Sequence, residues 1–198
     1  MSFYRDLHAM SEEQNKQIGM TTADNVSHLY GDQVLKSLQR KGGRFINTCL
    51  MVTLSGGVVS DGLEDGRVVS GVGGQYNFVS MAHALQDGRL VMMLRSDRVK
   101  YGQAVSNIIW NYGPTTIPRI LRDIVVTEYG IANLRSKSDK EIIAALLNIA
   151  DSRFQAELLA ARFKVYREAG CFPPCPFGND FTEEALIPSR ALKGSRRR

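Results

Sequence analysis

Arg67-Val68-Val69-Ser70-Gly71-Val72-Gly73-Gly74-Gln75-Tyr76-Asn77-Phe78 is the stretch on which the reading of the whole chain turns. Arg67 to Val69 reads as a short strand, Ser70 to Gln75 as a glycine loop, and Phe78, Met81, Ala82 and Leu85 recur at helical spacing. Glycines between a strand and a helix let backbone N–H groups approach an anion, and the helix N-terminus adds a favourable dipole. The run from Gly71 is not a dinucleotide fingerprint, because Tyr76 stands where the last glycine belongs, and no Lys-Ser or Lys-Thr pair completes a phosphate-binding P-loop. Taken alone, the pattern fits an ordinary tight turn equally well.

Working outward, the mostly apolar run Arg44 to Leu54 predicts a buried strand ended by Ser55-Gly56-Gly57. Arg89 to Arg95 and Asp123 to Thr127 predict two more, the second running into Glu128-Tyr129-Gly130. Ser138-Asp139-Lys140-Glu141 has the form of a capping box, and Ile142, Ile143, Leu146, Leu147, Ala150, Phe154, Leu158 and Leu159 continue it as one long helical pattern. Brief aliphatic strands alternating with helices predict an α/β fold, a mostly parallel sheet flanked by helices. Before it, residues 1–43 read as a partly exposed helical segment, with a capping box at Ser11-Glu12-Glu13-Gln14 and a helix over Gln33 to Arg40. After residues 44–170, the prolines of Cys171-Phe172-Pro173-Pro174-Cys175-Pro176 predict an extended tail over 171–198.

Composition narrows the function. A chain of 198 residues, 43% of them hydrophobic, buries an ordinary globular core. The net charge of +5 owes much to Arg196, Arg197 and Arg198, so nucleic-acid binding through this tail ranks last among the readings and no such partner is expected. No apolar run is long enough for a bilayer and the start is polar, which predicts a cytoplasmic protein without a membrane partner. Cys49, Cys171 and Cys175 form an odd set, and His8, His28 and His83 are scattered, so neither a disulfide framework nor a metal site is expected. Asp61, Glu64 and Asp65 lack the spacing of a calcium loop. Asn107 to Tyr112 mixes amides with aromatics and suits either a pocket wall or rim packing. Glu128 stands at the C-terminal end of a predicted buried strand, beside which the ligand crevice of an open α/β sheet lies. A carboxylate there orients substrate or exchanges protons, or is simply a solvated strand end.

Four segments, in order, resemble the acetyl-CoA hydrolase and CoA-transferase family, which includes acetate and 4-hydroxybutyrate CoA-transferases. They are Phe45-Ile46-Asn47-Thr48, Ser70 to Phe78, Thr116-Ile117-Pro118-Arg119, and Val126-Thr127-Glu128-Tyr129-Gly130-Ile131-Ala132. The resemblance implies a CoA-transferase fold of two facing α/β halves, with this chain similar to most of the second. It implies acyl-CoA and a small carboxylate such as acetate as substrates, coenzyme A as the carried group and no metal. It also implies a glutamate that forms first an acyl anhydride and then an enzyme-CoA thioester. By position, Asn47 and the loop residues Gly71, Gly73, Gly74 and Gln75 resemble the groups that hold the thioester, and Glu128 resembles the second active-site glutamate. The nucleophilic glutamate has no match, since only Glu12 and Glu13 precede Asn47 and both sit in a helix cap. Asn133 and Ser136 stand where the family usually shows aspartate and glycine. The expectation is therefore a C-terminal half that acts with an N-terminal half, or as a homo-oligomer; the alternative is a non-catalytic CoA-binding or subunit-interaction module.

Overall fold

The computed structural model describes residues 2–168, with side-chain surroundings for residues 3–161. The expected tail over 171–198, with Cys171 and Cys175, lies outside the described residues. Four short helices open the chain: α1 (Ser2–Ala9), α2 (Glu12–Asn15), α3 (Ala23–Ser27) and α4 (Gln33–Gln39). The Ser11 hydroxyl accepts from Gln14 N while the Gln14 side chain accepts from Ser11 N, the reciprocal pair of a capping box. Arg40 fastens this segment by donating to the carbonyls of His28 and Asn25, and Leu29 packs on Met81 and Leu85.

The apolar run from Arg44 does not stay in one sheet, as the sequence led us to expect. β1 (Arg44–Thr48) lies in one sheet and β2 (Met51–Thr53) in another. Cys49 N donates to Met93 O and the next residue, Leu50 N, donates to Val59 O, so the backbone changes partners within two residues. β2 pairs antiparallel with β3 (Val58–Val59) and parallel with β7 (Ile108–Ile109), giving a small sheet whose β2 is buried throughout.

The strand expected over Arg67 to Val69 is also absent from this fold. Val68 forms one isolated bridge with Gly62, and the segment is the return arm of a turn in which Leu63 N donates to Arg67 O and Val69 N to Asp61 O. The tightness of the Asp65-Gly66 corner, with Gly66 at φ +83°, leaves no length for a ladder. The expected helix follows as α5 (Gln75–Ala84). The main sheet then takes β4 (Arg89–Met93), β8 (Ile124–Thr127) and β9 (Gly130–Asn133), in the order β1-β4-β8-β9, with β5 (Asp97–Lys100) and β6 (Gln103–Ser106) forming a separate hairpin. β1, β4 and β8 are parallel and only β9 runs back. This is the mostly parallel α/β arrangement expected.

One face of the main sheet carries Leu90, Met92, Val125 and Ala132, all at most 2% exposed, against α5 and the helix α6 (Asp139–Asn148). The long helix expected through 159 is two, because the chain breaks at Ile149 to Asp151 before α7 (Ser152–Glu168). There Thr127 Oγ1 donates to Ile149 O, and the Asp151 carboxylate accepts from Arg153 N. The turn before α6 holds Ser136 at φ +60°, the left-handed conformation that glycine adopts freely.

Two substitutions check this account. A Cβ at Gly88, between α5 and β4, would lie 2.6 Å from Ala82 O, so Gly88→Ala should lose about 1–3 kcal/mol in urea unfolding. At Ser136 a left-handed L residue costs about 1–2 kcal/mol and glycine's extra entropy about 0.5–1, so Ser136→Gly should raise stability by about 0.5–1 kcal/mol in the same measurement.

Candidate active site

β1 delivers Asn47 and Thr48 to the C-terminal edge of the parallel strands, and α5 begins over the same edge. Between them lies a cavity of about 340 Å³ lined by Asn47, Thr48, Ser60, Gly71, Gly74 and Gln75, with Cys49 and Phe78 in its wall. Gln75 is 7% exposed and spans the floor: its Nε2 donates to Thr48 O at 2.8 Å, fastening the start of α5 to the end of β1. Three side-chain atoms of this lining are buried with no hydrogen-bond partner in the chain, namely Asn47 Nδ2, Ser60 Oγ and Gln75 Oε1. Buried polar atoms are nearly always paired, so three in one cavity mark a place shaped for a polar guest.

The glycine loop suits this. Gly73 adopts φ +56°, and a Cβ there would meet nothing within 4 Å, so the need for glycine is one of backbone conformation. Gly74 caps α5 without a side-chain bond, which leaves first-turn N–H groups for a ligand oxygen. An amide donor, a hydroxyl and a helix N-terminus around one small cavity can stabilise a carbonyl oxygen as it gains negative charge. Cys49 is no rival nucleophile: burial pushes its thiol up to about 12, so it stays protonated at neutral pH.

Glu128 follows directly on β8, hence at the same C-terminal edge, but it does not line this cavity. β4 stands between β1 and β8, so two strand spacings, roughly 10 Å, separate the two positions across the sheet. Burial pushes the Glu128 carboxyl up, but the opposing effects prevail: its own backbone N–H, the Ser96 hydroxyl and N–H, and the Arg95 charge together hold it below the usual carboxylate range. Ser96 Oγ donates to Glu128 Oε1 at 2.8 Å and Ser96 N to Oε2 at 2.9 Å. Glu128 is therefore a fixed anion at neutral pH and not a proton donor.

The turn that carries it is anchored from below. Tyr129 OH donates to Asp151 Oδ2 at 2.9 Å, and Tyr129 N donates to Thr127 Oγ1. Arg153 binds both Asp151 oxygens, at 3.0 and 2.7 Å, and these bonds above all hold the Asp151 carboxyl down to about 2.

The structure thus brings Asn47, Gly71, Gly74 and Gln75 into one cavity, places Gly73 in the loop above it, and sets Glu128 two strands away on the same edge. Ser70, the first residue of the glycine loop, also lines the cavity, as does Ser60, which no sequence motif singled out because its turn is folded in by the second sheet. Asn107, expected at a pocket wall or rim, is a buried brace: its Nδ2 donates to Arg95 O and its Oδ1 accepts from Arg98. No group of three metal-ligating side chains occurs among the described residues, and no helix of theirs is long and apolar enough to cross a membrane.

Comparison with known proteins adds the following. Residues 2–162 match the family model described as the acetyl-CoA hydrolase/transferase C-terminal domain. The chain is 33% identical over 115 residues to a 4-hydroxybutyrate coenzyme A transferase of Clostridium kluyveri, a match covering 58% of this chain and 27% of that one. It is 34% identical over 129 residues to a probable butyrate:acetyl-CoA coenzyme A-transferase of Syntrophomonas wolfei, covering 63% and 29%. A crystal structure of RipA from Yersinia pestis superposes with a TM-score of 0.55 at 31% identity, covering 67% of this chain and 28% of that one. The chain accordingly spans under a third of the length of these relatives.

Because Asp151 is depressed from 3.8 to about 2, its ionised form is favoured by folding: that stability is complete above about pH 4 and is lost as the pH falls toward 2. Asp151→Asn should therefore cost about 2 kcal/mol at pH 7 and flatten the fall in unfolding free energy between pH 4 and 2, both read by urea titration.

Proposed function

Because the chain belongs to the acetyl-CoA hydrolase/transferase family through its C-terminal domain, we propose that it forms the carbonyl-holding side of an acyl-CoA cleft that exchanges CoA between carboxylates. The observation that carries this reading is the set of unpaired buried atoms, Asn47 Nδ2 above all, in the cavity under the glycine loop.

In this reading the acyl carbonyl of the thioester lies against Asn47 and the first turn of α5. A glutamate carboxylate from a segment outside this chain attacks the carbonyl carbon. The C–O bond forms, the C–S bond breaks, and the CoA thiolate leaves with the electron pair. That thiolate then attacks the glutamyl carbonyl of the anhydride, releasing the original acyl group as free carboxylate and leaving an enzyme-CoA thioester. A second carboxylate such as acetate, or water, resolves it. Each attack puts negative charge on a carbonyl oxygen, and donors already in place at Asn47, Ser60 and the α5 N-terminus lower that barrier without reorganising. Glu128, ionised and held by Ser96, supplies fixed negative charge at the far side of the same edge and orients its surroundings rather than transferring protons.

A partner half is favoured by a second observation. Ile46, Val91, Met93, Ile124, Val126 and Ile131 are neighbours in register on the other face of the main sheet, and Ile46 and Ile131 are 60% and 71% exposed. Parallel sheets are covered on both faces in stable proteins, and no described helix covers this one. The alternative, a CoA-binding or subunit-interaction module without catalysis, would use the same two surfaces.

Thioester cleavage and acyl exchange with acetyl-CoA and acetate decide between them, measured on the chain alone and with the N-terminal half of a relative. The chain alone should be nearly inert and the pair active. Asn47→Ala should then lower kcat by about 10²- to 10³-fold, the usual loss of one oxyanion donor. Full activity of the chain alone would mean that its own residues include the nucleophile. CoA binding by calorimetry that Gly73→Asp abolishes, without activity in the pair, would favour the module.

A further inference from the structure

A second cavity lies on the opposite edge of the main sheet. Arg119 and Arg122 precede β8, Leu85 and Gln86 precede β4, and Leu134 to Lys137 follow the antiparallel β9, so all of them gather where the parallel strands begin. They enclose about 770 Å³, within the range of small-molecule sites. The wall is cationic: Arg119, Arg122, Arg135 and Lys137 line it, and Asp139 is the single carboxylate among the lining residues.

The ion pairs leave positive charge over. Asp139 is shared by Arg119, at 3.3 Å to Oδ2, and Arg122, at 3.0 Å to Oδ1. Asp123, fully buried behind the wall, is shared by Arg135 at 2.8 Å and Arg89 at 2.7 Å. Asn133, next to this cluster, contributes a neutral amide oxygen to Arg89 where a carboxylate would have balanced it. Thus four guanidiniums divide two carboxylates, and Lys137 adds a further cation whose charge is felt by Glu141, a residue already engaged in the Ser138 cap.

The forks are also held in place before any ligand arrives. Arg122 Nη1 donates to Ser55 O at 2.8 Å and Arg135 Nη1 to Gly88 O at 3.0 Å. Each guanidinium has five N–H donors, so these bonds fix orientation and leave donors over. The inner pair, Arg89 and Arg135, is accounted for by tying strands together through Asp123. Arg119, more than half exposed, and Lys137 tie nothing in the core, and their charge converges on a concave surface.

We propose that this cavity binds a di- or triphosphate group, free or carried by a nucleoside, at a site separated from the Asn47 cavity by the length of the sheet. Adjacent phosphates match several guanidinium forks and one ammonium in a way that a single carboxylate does not. Ala84 and Ile120, both exposed, give part of the wall an apolar surface against which an attached nucleoside can rest.

Calorimetry on the full chain tests this, with pyrophosphate, ADP and sulfate titrated separately at two salt concentrations. Pyrophosphate should bind far more tightly than sulfate, and Arg119→Gln and Lys137→Gln should each weaken it about ten-fold, while Asn47→Ala leaves it unchanged. Tighter binding of ADP than of pyrophosphate assigns the site to a nucleotide, and equal binding assigns it to the phosphates alone. The two substituted side chains lie outside the core, so thermal unfolding near that of the parent shows that lost binding is local. Absence of pyrophosphate and ADP binding, binding no better than sulfate, or binding untouched by both substitutions overturns the proposal. None of these results depends on whether the chain takes part in CoA transfer.

Discussion

The buried Asp123 carboxylate is the constraint on which the rest of the main sheet depends. It accepts from Leu90 N at 2.8 Å and from the Arg89 guanidinium and forms an ion pair with Arg135, and the backbone of the same residue accepts from Leu134 N. One residue thereby fastens the start of β4, the start of β8 and the end of β9. A carboxylate so deep is tolerated only because its oxygens are met by charged and backbone donors; stripping one partner would leave a buried charge uncompensated. With the strand beginnings clamped, the far ends of β1, β4 and β8 emerge side by side, and that alignment sets Asn47 and Glu128 on one edge.

Much of this was legible from the chain, for reasons that differ by element. The capping boxes at Ser11 and Ser138 are local chemistry, so four residues suffice to read them, and both reciprocal pairs form. β4 and β8 are short aliphatic runs between turns, a pattern that central parallel strands require. The run from Arg44 to Leu54 misled because hydrophobicity reports burial and not which sheet buries it; the change at Cys49 and Leu50 is written only in tertiary hydrogen bonds. The break at Ile149 to Asp151 hid for a like reason: Thr127, far away in sequence, takes the Ile149 carbonyl. The β5–β6 hairpin escaped because its corner is Tyr101-Gly102, with φ +52° and +78°, and tyrosine is not a residue that advertises such a turn.

Within the candidate site, the glycine loop and Asn47 could be read because backbone freedom and an amide leave marks in the sequence. Ser60 could not, being one serine among many until the second sheet carries its turn beneath the loop. The basic cavity was equally hidden, since Arg119, Arg135 and Lys137 are scattered surface charges in one dimension and neighbours only when β8 and β9 turn back on each other.

β1 pairs with β4 along one side only; on its other side Thr48 O accepts from Gln75 Nε2, but among the described residues no further strand joins the main sheet beyond β1. A flat strand that shows both an open ladder and an apolar flank such as Ile46 is a template on which further chains can zip, and natural proteins blunt such margins with charge. Arg44 stands at the beginning of β1 as a gatekeeper of that kind, so ionic strength, by screening it, bears directly on whether this chain stays dispersed at high concentration.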